Sequence, residues 1–185
     1  MNSVQAHSTT VLTTPRLSLR FPEASDLPAI VAGLGDLRVA RMLARVPHPY
    51  RKADAEAFLE AAAEQNAAGT HLHLFIEEGG RMVGGIGLHG LPVPEDFGYW
   101  LAPEAWGRGI ATEAADALLG YAFEKLDVVR VPSGVFIDNP ASLRVQDKLG
   151  FTRTGISRKF SVARGADIDH IDTVLMRERF EAFRR

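Results

Sequence analysis

Hydrophobic and polar positions alternate along Arg16–Phe21. Leu17, Leu19 and Phe21 fall on one face and Arg16, Ser18 and Arg20 on the other, the pattern of a half-buried strand. Ser25 then reads as a helix N-cap with Pro28 in the first turn, opening a helix to about Gly33 and a second from Asp36 to Leu43. Pro47–Tyr50 is a loop. The Ala/Glu-rich stretch Ala53–Ala68 predicts a helix stopped at Gly69. His71–Glu78 alternates again, with Leu72, Leu74 and Ile76 on one face; Gly79-Gly80 marks a hairpin and Arg81–His89 the returning strand. A further strand is expected at Asp96–Leu101.

Over Gly107–Lys125 the period changes. Ala111, Ala114, Ala115, Leu118, Leu119, Ala122 and Phe123 follow helical spacing. Val128–Ile137 reads as a strand broken by Pro132, and Pro140–Leu149 as a helix ended by Gly150. Strands near Phe151–Val162 and Ile168–Arg177 close the chain. The order is β-α-α-β-β-β-α-β-α-β-β. Strands joined by a hairpin pair antiparallel, so the pattern predicts an α/β fold. Its sheet is mixed, mainly antiparallel, and covered by helices on both faces as a three-layer sandwich.

Composition narrows the class. A chain of 185 residues fits one domain, and at this size about 70% of the unfolded surface is buried on folding, so no metal or disulfide staple is required. The absence of cysteine excludes a disulfide framework, a zinc finger and a thiol nucleophile. A net charge of -2 argues against a general nucleic-acid or membrane-surface binder. No apolar run approaches the roughly 18 residues that span a bilayer. Residues 1–13 are polar, lack the basic start and apolar stretch of a signal peptide, and read as a flexible tail before a single domain at 14–185. The expected setting is cytoplasmic.

One segment carries chemistry. In FGYWLAPEAWGRGIATEAADALL (Phe97–Leu119) a strand ends at Leu101 and Gly107-Arg108-Gly109-Ile110-Ala111-Thr112 opens a helix. First-turn amides lack internal partners and carry partial positive charge, and glycines let a large anion approach them. Arg108 adds a full charge. No Lys follows the glycines, so a P-loop is excluded. Thr112 stands where a dinucleotide fingerprint needs its third glycine, and the upstream hairpin denies that motif its parallel β-α-β unit. An N-capped helix whose glycines serve packing alone stays open on these residues.

GYWLAPEAWGRGIATEA resembles the coenzyme A pyrophosphate loop of the GNAT superfamily, the acetyl-CoA-dependent N-acetyltransferases. Gly109 and Ala111 fit the last two fixed positions of Q/R-x-x-G-x-G/A, while Trp106 stands where Gln or Arg is usual. DNPASLRVQDKLGF (Asp138–Phe151) and DHIDTVLMRERF resemble later segments of the ribosomal-protein alanine and serine N-acetyltransferase branch. The likeness runs from about Thr14 to Phe180.

The resemblance implies splayed central strands with the pantetheine arm inserted between them. Main-chain groups of Tyr99, Trp100 and Leu101, the amides of Gly107, Arg108, Gly109, Ile110, Ala111 and Thr112, and Asn139 would bind the cofactor. A backbone N–H near Leu101 would polarise the thioester carbonyl. Asp96 is the expected base, with Glu95 or His89 as substitutes. Many relatives place a Tyr thiolate partner where this chain has Gln146, so the role passes to Ser142, one turn earlier on the same face. The implied partner is an amine acceptor, a protein N-terminus or a small molecule, and a homodimer is common for the branch. A coenzyme-binding sensor without transferase activity is the alternative.

Other clusters read as structural. His71 and His73 share a strand face without an acidic neighbour in sequence. Asp167, Asp169, His170 and Asp172 read as an ion pair or substrate-side acid rather than a metal site. Arg41, Arg45 and Arg51 read as a solvated face, and Arg144 and Lys148 as an exposed helix face within reach of the cofactor's outer phosphate.

Overall fold

The computed structural model describes residues 10–184. Eight strands and six helices run in the order β1 (Thr10–Thr13), β2 (Leu17–Arg20), α1 (Leu27–Gly35), α2 (Leu37–Ala40), α3 (Lys52–Ala67), β3 (His71–Glu78), β4 (Arg81–His89), β5 (Asp96–Leu101), α4 (Ile110–Lys125), β6 (Arg130–Phe136), α5 (Pro140–Leu149), β7 (Thr152–Ser161), β8 (Ala166–Met176) and α6 (Arg177–Phe183). They form a five-stranded sheet, β1-β2-β3-β4-β5, and a three-stranded sheet, β6-β8-β7. Every ladder is antiparallel.

β3 shows why the large sheet sits in the middle. Leu72, Leu74 and Ile76 face a core built with Ala114, Leu118 and Leu119 of α4. Phe75, on the opposite face, packs with Ile30 and Leu34 of α1 and Ala55 of α3. Both faces of the strand are therefore covered by helices, the three layers that the alternation implies.

Several boundaries differ from the sequence reading. Thr10–Thr13, read as part of the tail, pair with β2, because Val11 and Leu12 pack against the core despite their polar surroundings. Residues 1–9 lie outside the described residues. Ser25 does not cap α1. It lies in a single 3-10 turn, Ala24–Asp26, where Glu23 and Asp26 exchange capping bonds. Asp26 also receives Arg20, at 2.6 and 2.8 Å, a buried ion pair that draws Arg20 inward from the face assigned to solvent. β6 continues through Pro132, paired with Val174, because it is the edge strand of its sheet. Helix α6 was not anticipated; its Phe180 packs on Phe123 of α4.

Candidate active site

β5 and β6 lie side by side without a ladder between them. A chain of side-chain bonds joins them. Thr173 Oγ1 donates to Gln146 Oε1 and Gln146 Nε2 to Ser133 Oγ, both at 2.9 Å. Ser133 Oγ donates to the Phe97 carbonyl at 2.7 Å. Gln146 is 1% exposed. The residue standing at the family's Tyr position therefore fastens β5, β6, β8 and α5 beside the gap. Next to this fastening a cleft of about 680 Å³ opens.

The free edge of β5 faces that cleft. Phe97 turns its carbonyl toward β6, and main-chain direction alternates along a strand. Tyr99 and Leu101 therefore share the open edge, while Trp100 is turned to β4 opposite Gly85. This corrects the expectation that all three present main-chain groups to the cleft. The Leu101 carbonyl is taken by Trp106 Nε1 at 2.9 Å, which leaves the Leu101 N–H for a ligand. The Trp100 ring runs the other way, against Gly33 of α1.

Beyond β5 a 3-10 turn, Pro103–Ala105, leads to the glycine loop. Gly107 and Gly109 have φ of 71° and 79°, so Gly109 is a left-handed N-cap and α4 begins at Ile110, three residues later than the pattern suggested. This conformation strains any residue with a Cβ. The amides of Gly107 through Thr112 donate to no other main-chain or side-chain group of the described protein. Gly107, Gly109 and Thr112 line the cleft. The Arg108 side chain does not: it is held by Glu78 at 2.8 Å, so its contribution to the loop is its amide rather than its charge. Arg16 secures the loop from below, bonding Glu113 and the Arg108 carbonyl.

On the far wall, Asn139 caps α5 by accepting from the Ser142 amide at 3.1 Å. This orients Ser142 so that its Oγ meets the Tyr99 hydroxyl at 2.7 Å. Burial pushes the Tyr99 phenol up to about 12, so it stays protonated at neutral pH. The sequence reading used only the main chain of Tyr99. The signal for its side chain was present: Phe97, Tyr99 and Leu101 share a strand face, and a phenol on a core-facing row needs a partner. Arg144 and Lys148 line the outer mouth, and neither has an ion-pair partner among the described residues.

Asp96 lines the other end of the cleft, with Arg45 at 3.8 Å and His89 at 3.7 Å. His89 also receives Arg45 at 3.0 Å and, like the exposed Glu95, lies outside the cleft wall. Arg41 and Arg45 are exposed, as the solvated-face reading has it, and each also contacts a carboxylate. Arg41 and Arg164 both bind Asp138, at 3.1 and 2.9 Å. Burial opposes the Asp138 charge, but these arginines hold its carboxyl below the ordinary value. Arg51 is exposed at the start of α3. His71 and His73 stack at 5.3 Å away from the cleft, where burial pushes His73 down to about 4. Among the described residues no three His, Cys, Asp or Glu side chains are arranged to hold a metal ion, and no helix is long and apolar enough to cross a membrane.

A sheet parted beside the bare amides of a helix start makes a cleft that can take a diphosphate-bearing ligand. Residues 16–152 match the model of the acetyltransferase (GNAT) domain, and the chain belongs to that family of acetyl-CoA-dependent acetyltransferases. It is 29% identical over 163 residues to YoaA, an uncharacterised N-acetyltransferase of Bacillus subtilis (strain 168), covering 86% of this chain and 92% of the relative. A crystal structure of a probable acetyltransferase superposes with a TM-score of 0.79 at 25% identity, over 91% of this chain and 97% of the other. RimL, a ribosomal L7/L12 alpha-N-protein acetyltransferase solved with coenzyme A, shares the fold with a TM-score of 0.80 at 19% identity, over 90% and 97%.

Proposed function

We propose that this enzyme transfers acetyl from acetyl-CoA to a primary amine in the cleft between β5 and β6. One observation carries the reading: the unpartnered amides of Gly107–Thr112 and the open edge of β5 border the same cleft as the Tyr99–Ser142 pair.

The amides of Gly107, Arg108, Gly109, Ile110, Ala111 and Thr112 hold the donor's pyrophosphate. Arg144 and Lys148 meet its outer phosphate. The Tyr99 main chain and the Asn139 side-chain amide pair with the amides of the pantetheine arm as a short added strand would. Leu101 N–H is the donor for the thioester oxygen, where charge builds during attack.

Tyr99 and Ser142 face the leaving sulfur. A phenol raised to about 12 will not surrender its proton to a thiolate of ordinary basicity, near 8.5. The pair therefore stabilises the departing sulfur as a hydrogen-bond donor, with Ser142 relaying the phenol. The Tyr99 hydroxyl on β5 stands in for the one that Gln146 does not supply, which favours transfer over a sensor without activity. Asp96, at the opposite end, draws the acceptor as its ammonium and holds it at the cleft; its bonds to Arg45 and His89 suit an anchor better than a proton acceptor.

The test is acetyl-CoA turnover, followed by thiol release, over a panel of amines and peptides with free N-termini. Release dependent on acceptor is expected. Coenzyme A binding with no turnover of any amine would restore the sensor.

A further inference from the structure

The cleft holds a second titratable group that the expected chemistry does not use. His170 and Asp172 occupy alternate positions of β8 and so share a face. His170 Nδ1 lies 2.8 Å from Asp172 Oδ1, and the same oxygen accepts from Ser157 Oγ at 2.9 Å. A carboxylate at that distance fixes the proton on Nδ1 and leaves the Nε2 lone pair free. Nε2 has no partner among the described residues, and it is not among their sealed, unpaired polar atoms, of which Ser161 Oγ is the one found. His170 lines the cleft, so its free nitrogen opens there. The ring is held firmly. It lies over Gly134 of β6, where any Cβ would collide with it, and Phe136 meets it edge-on at 5.7 Å.

We infer that the His170–Asp172 pair is the general base of the transfer, His170 Nε2 taking the proton of the acceptor ammonium while Asp172 orients the imidazole and steadies its charge. This deepens the acetyltransferase reading and rests on it. The proton passes from nitrogen to Nε2. The freed lone pair forms the C–N bond as the C–S bond breaks, its electron pair leaving with the thiolate. The second proton of the nitrogen is lost as the amide forms, after His170 has returned the first to water. One ammonium and one thioester thus give one amide, one thiolate and two protons. His170 suits the step better than Asp96, which already faces Arg45 and His89, whereas the imidazole's hydrogen-bond partner among the described residues is the Asp172 carboxylate, which increases its basicity.

The groups around the ring set its titration. Burial pushes His170 down, Asp172 on its own strand opposes that, Lys159 of β7 lowers it further and Asp96 of β5 raises it; the net direction is below the ordinary histidine value. With the shift downward, kcat/KM should fall on acidification only below the ordinary histidine range.

The experiment compares the parent, His170→Gln and Asp172→Asn over pH 5–9. It uses acetyl-CoA with two acceptors, a simple alkyl amine and trifluoroethylamine, which is largely neutral at pH 7. Coenzyme A binding is followed by thermal shift as the check on folding. With the alkyl amine at pH 7, kcat/KM is expected to fall about 100-fold in His170→Gln and about tenfold in Asp172→Asn. The acid limb is expected to vanish in His170→Gln and persist in Asp96→Asn. The loss should be several-fold smaller with trifluoroethylamine, which a purely structural role would not produce. An equal loss with both amines, an acid limb that survives in His170→Gln, or a limb that vanishes in Asp96→Asn instead, overturns the assignment while leaving the acetyltransferase intact. A parent that binds coenzyme A and acetylates neither these amines nor any of the wider panel overturns the function itself, and this role with it.

Discussion

The two ends of the cleft are built differently. On the proposed reading the donor end is mostly main chain: consecutive amides after Trp106, and the edge of one strand. The acceptor end is side chain, assembled from β5, β8, the segment after α2 and the hairpin between β7 and β8. A donor carried by every member of the family can be held by groups that any sequence provides, with glycines only to expose them. An acceptor that varies needs functional groups whose chemistry can change one residue at a time. Damage to the first end should therefore remove coenzyme A binding, and damage to the second should change what is acetylated and how well.

Four variants sharpen the contrast, from largest effect to smallest. Gly109→Val forces a β-branched residue into a φ of 79°, a backbone strain that distorts the loop although an added Cβ would meet only Arg16 Nη2, at 3.6 Å. Calorimetry should show coenzyme A affinity reduced more than 100-fold; unchanged affinity would remove the loop from the site. Tyr99→Phe deletes one hydroxyl at the leaving sulfur, and kcat is expected to fall about 10- to 30-fold with the acetyl-CoA KM within twofold. A rise in KM alone would make the phenol a binding group.

Arg164→Ala acts at the other end. Arg164 bonds Asp138, donates to the Arg41 carbonyl at 2.7 Å and stacks over Phe136 at 5.0 Å, so it ties the β7–β8 hairpin to the segment after α2. Loosening that tie should raise the acceptor KM about tenfold and leave coenzyme A affinity within twofold. Equal effects on both would mean that the two ends are not separable. The smallest change is expected when Arg144 and Lys148 are both replaced by Ala. Coenzyme A affinity should fall three- to tenfold, more at low salt, with dephospho-coenzyme A unaffected. A matching loss for dephospho-coenzyme A would move these cations away from the outer phosphate.

The same division decides what the sequence reveals. The strands from His71 to Leu101 begin and end where their sequence pattern puts them, and the glycine loop is readable because its conformation is local: consecutive free amides beside two positive-φ glycines. Local patterning fails where tertiary contact dominates. Arg20 is drawn inside by Asp26, Arg108 is turned aside by Glu78, and Thr10–Thr13 become a strand only because β2 lies beside them. At the acceptor end, the Arg41–Asp138–Arg164 cluster joins segments far apart in sequence, which no periodicity connects. Gln146 is the sharpest case. As a sequence feature it is a missing acid; in the fold it is the buried link between Thr173 and Ser133 that fixes the gap's width.

The most direct trial is an amide NMR titration of the nitrogen-15-labelled enzyme with coenzyme A. The account predicts that the largest shifts fall on Gly107–Thr112, with Tyr99, Leu101 and Ser142 following and Arg41, Asp138 and His170 moving least. Saturable binding that leaves the 107–112 amides unmoved would contradict it.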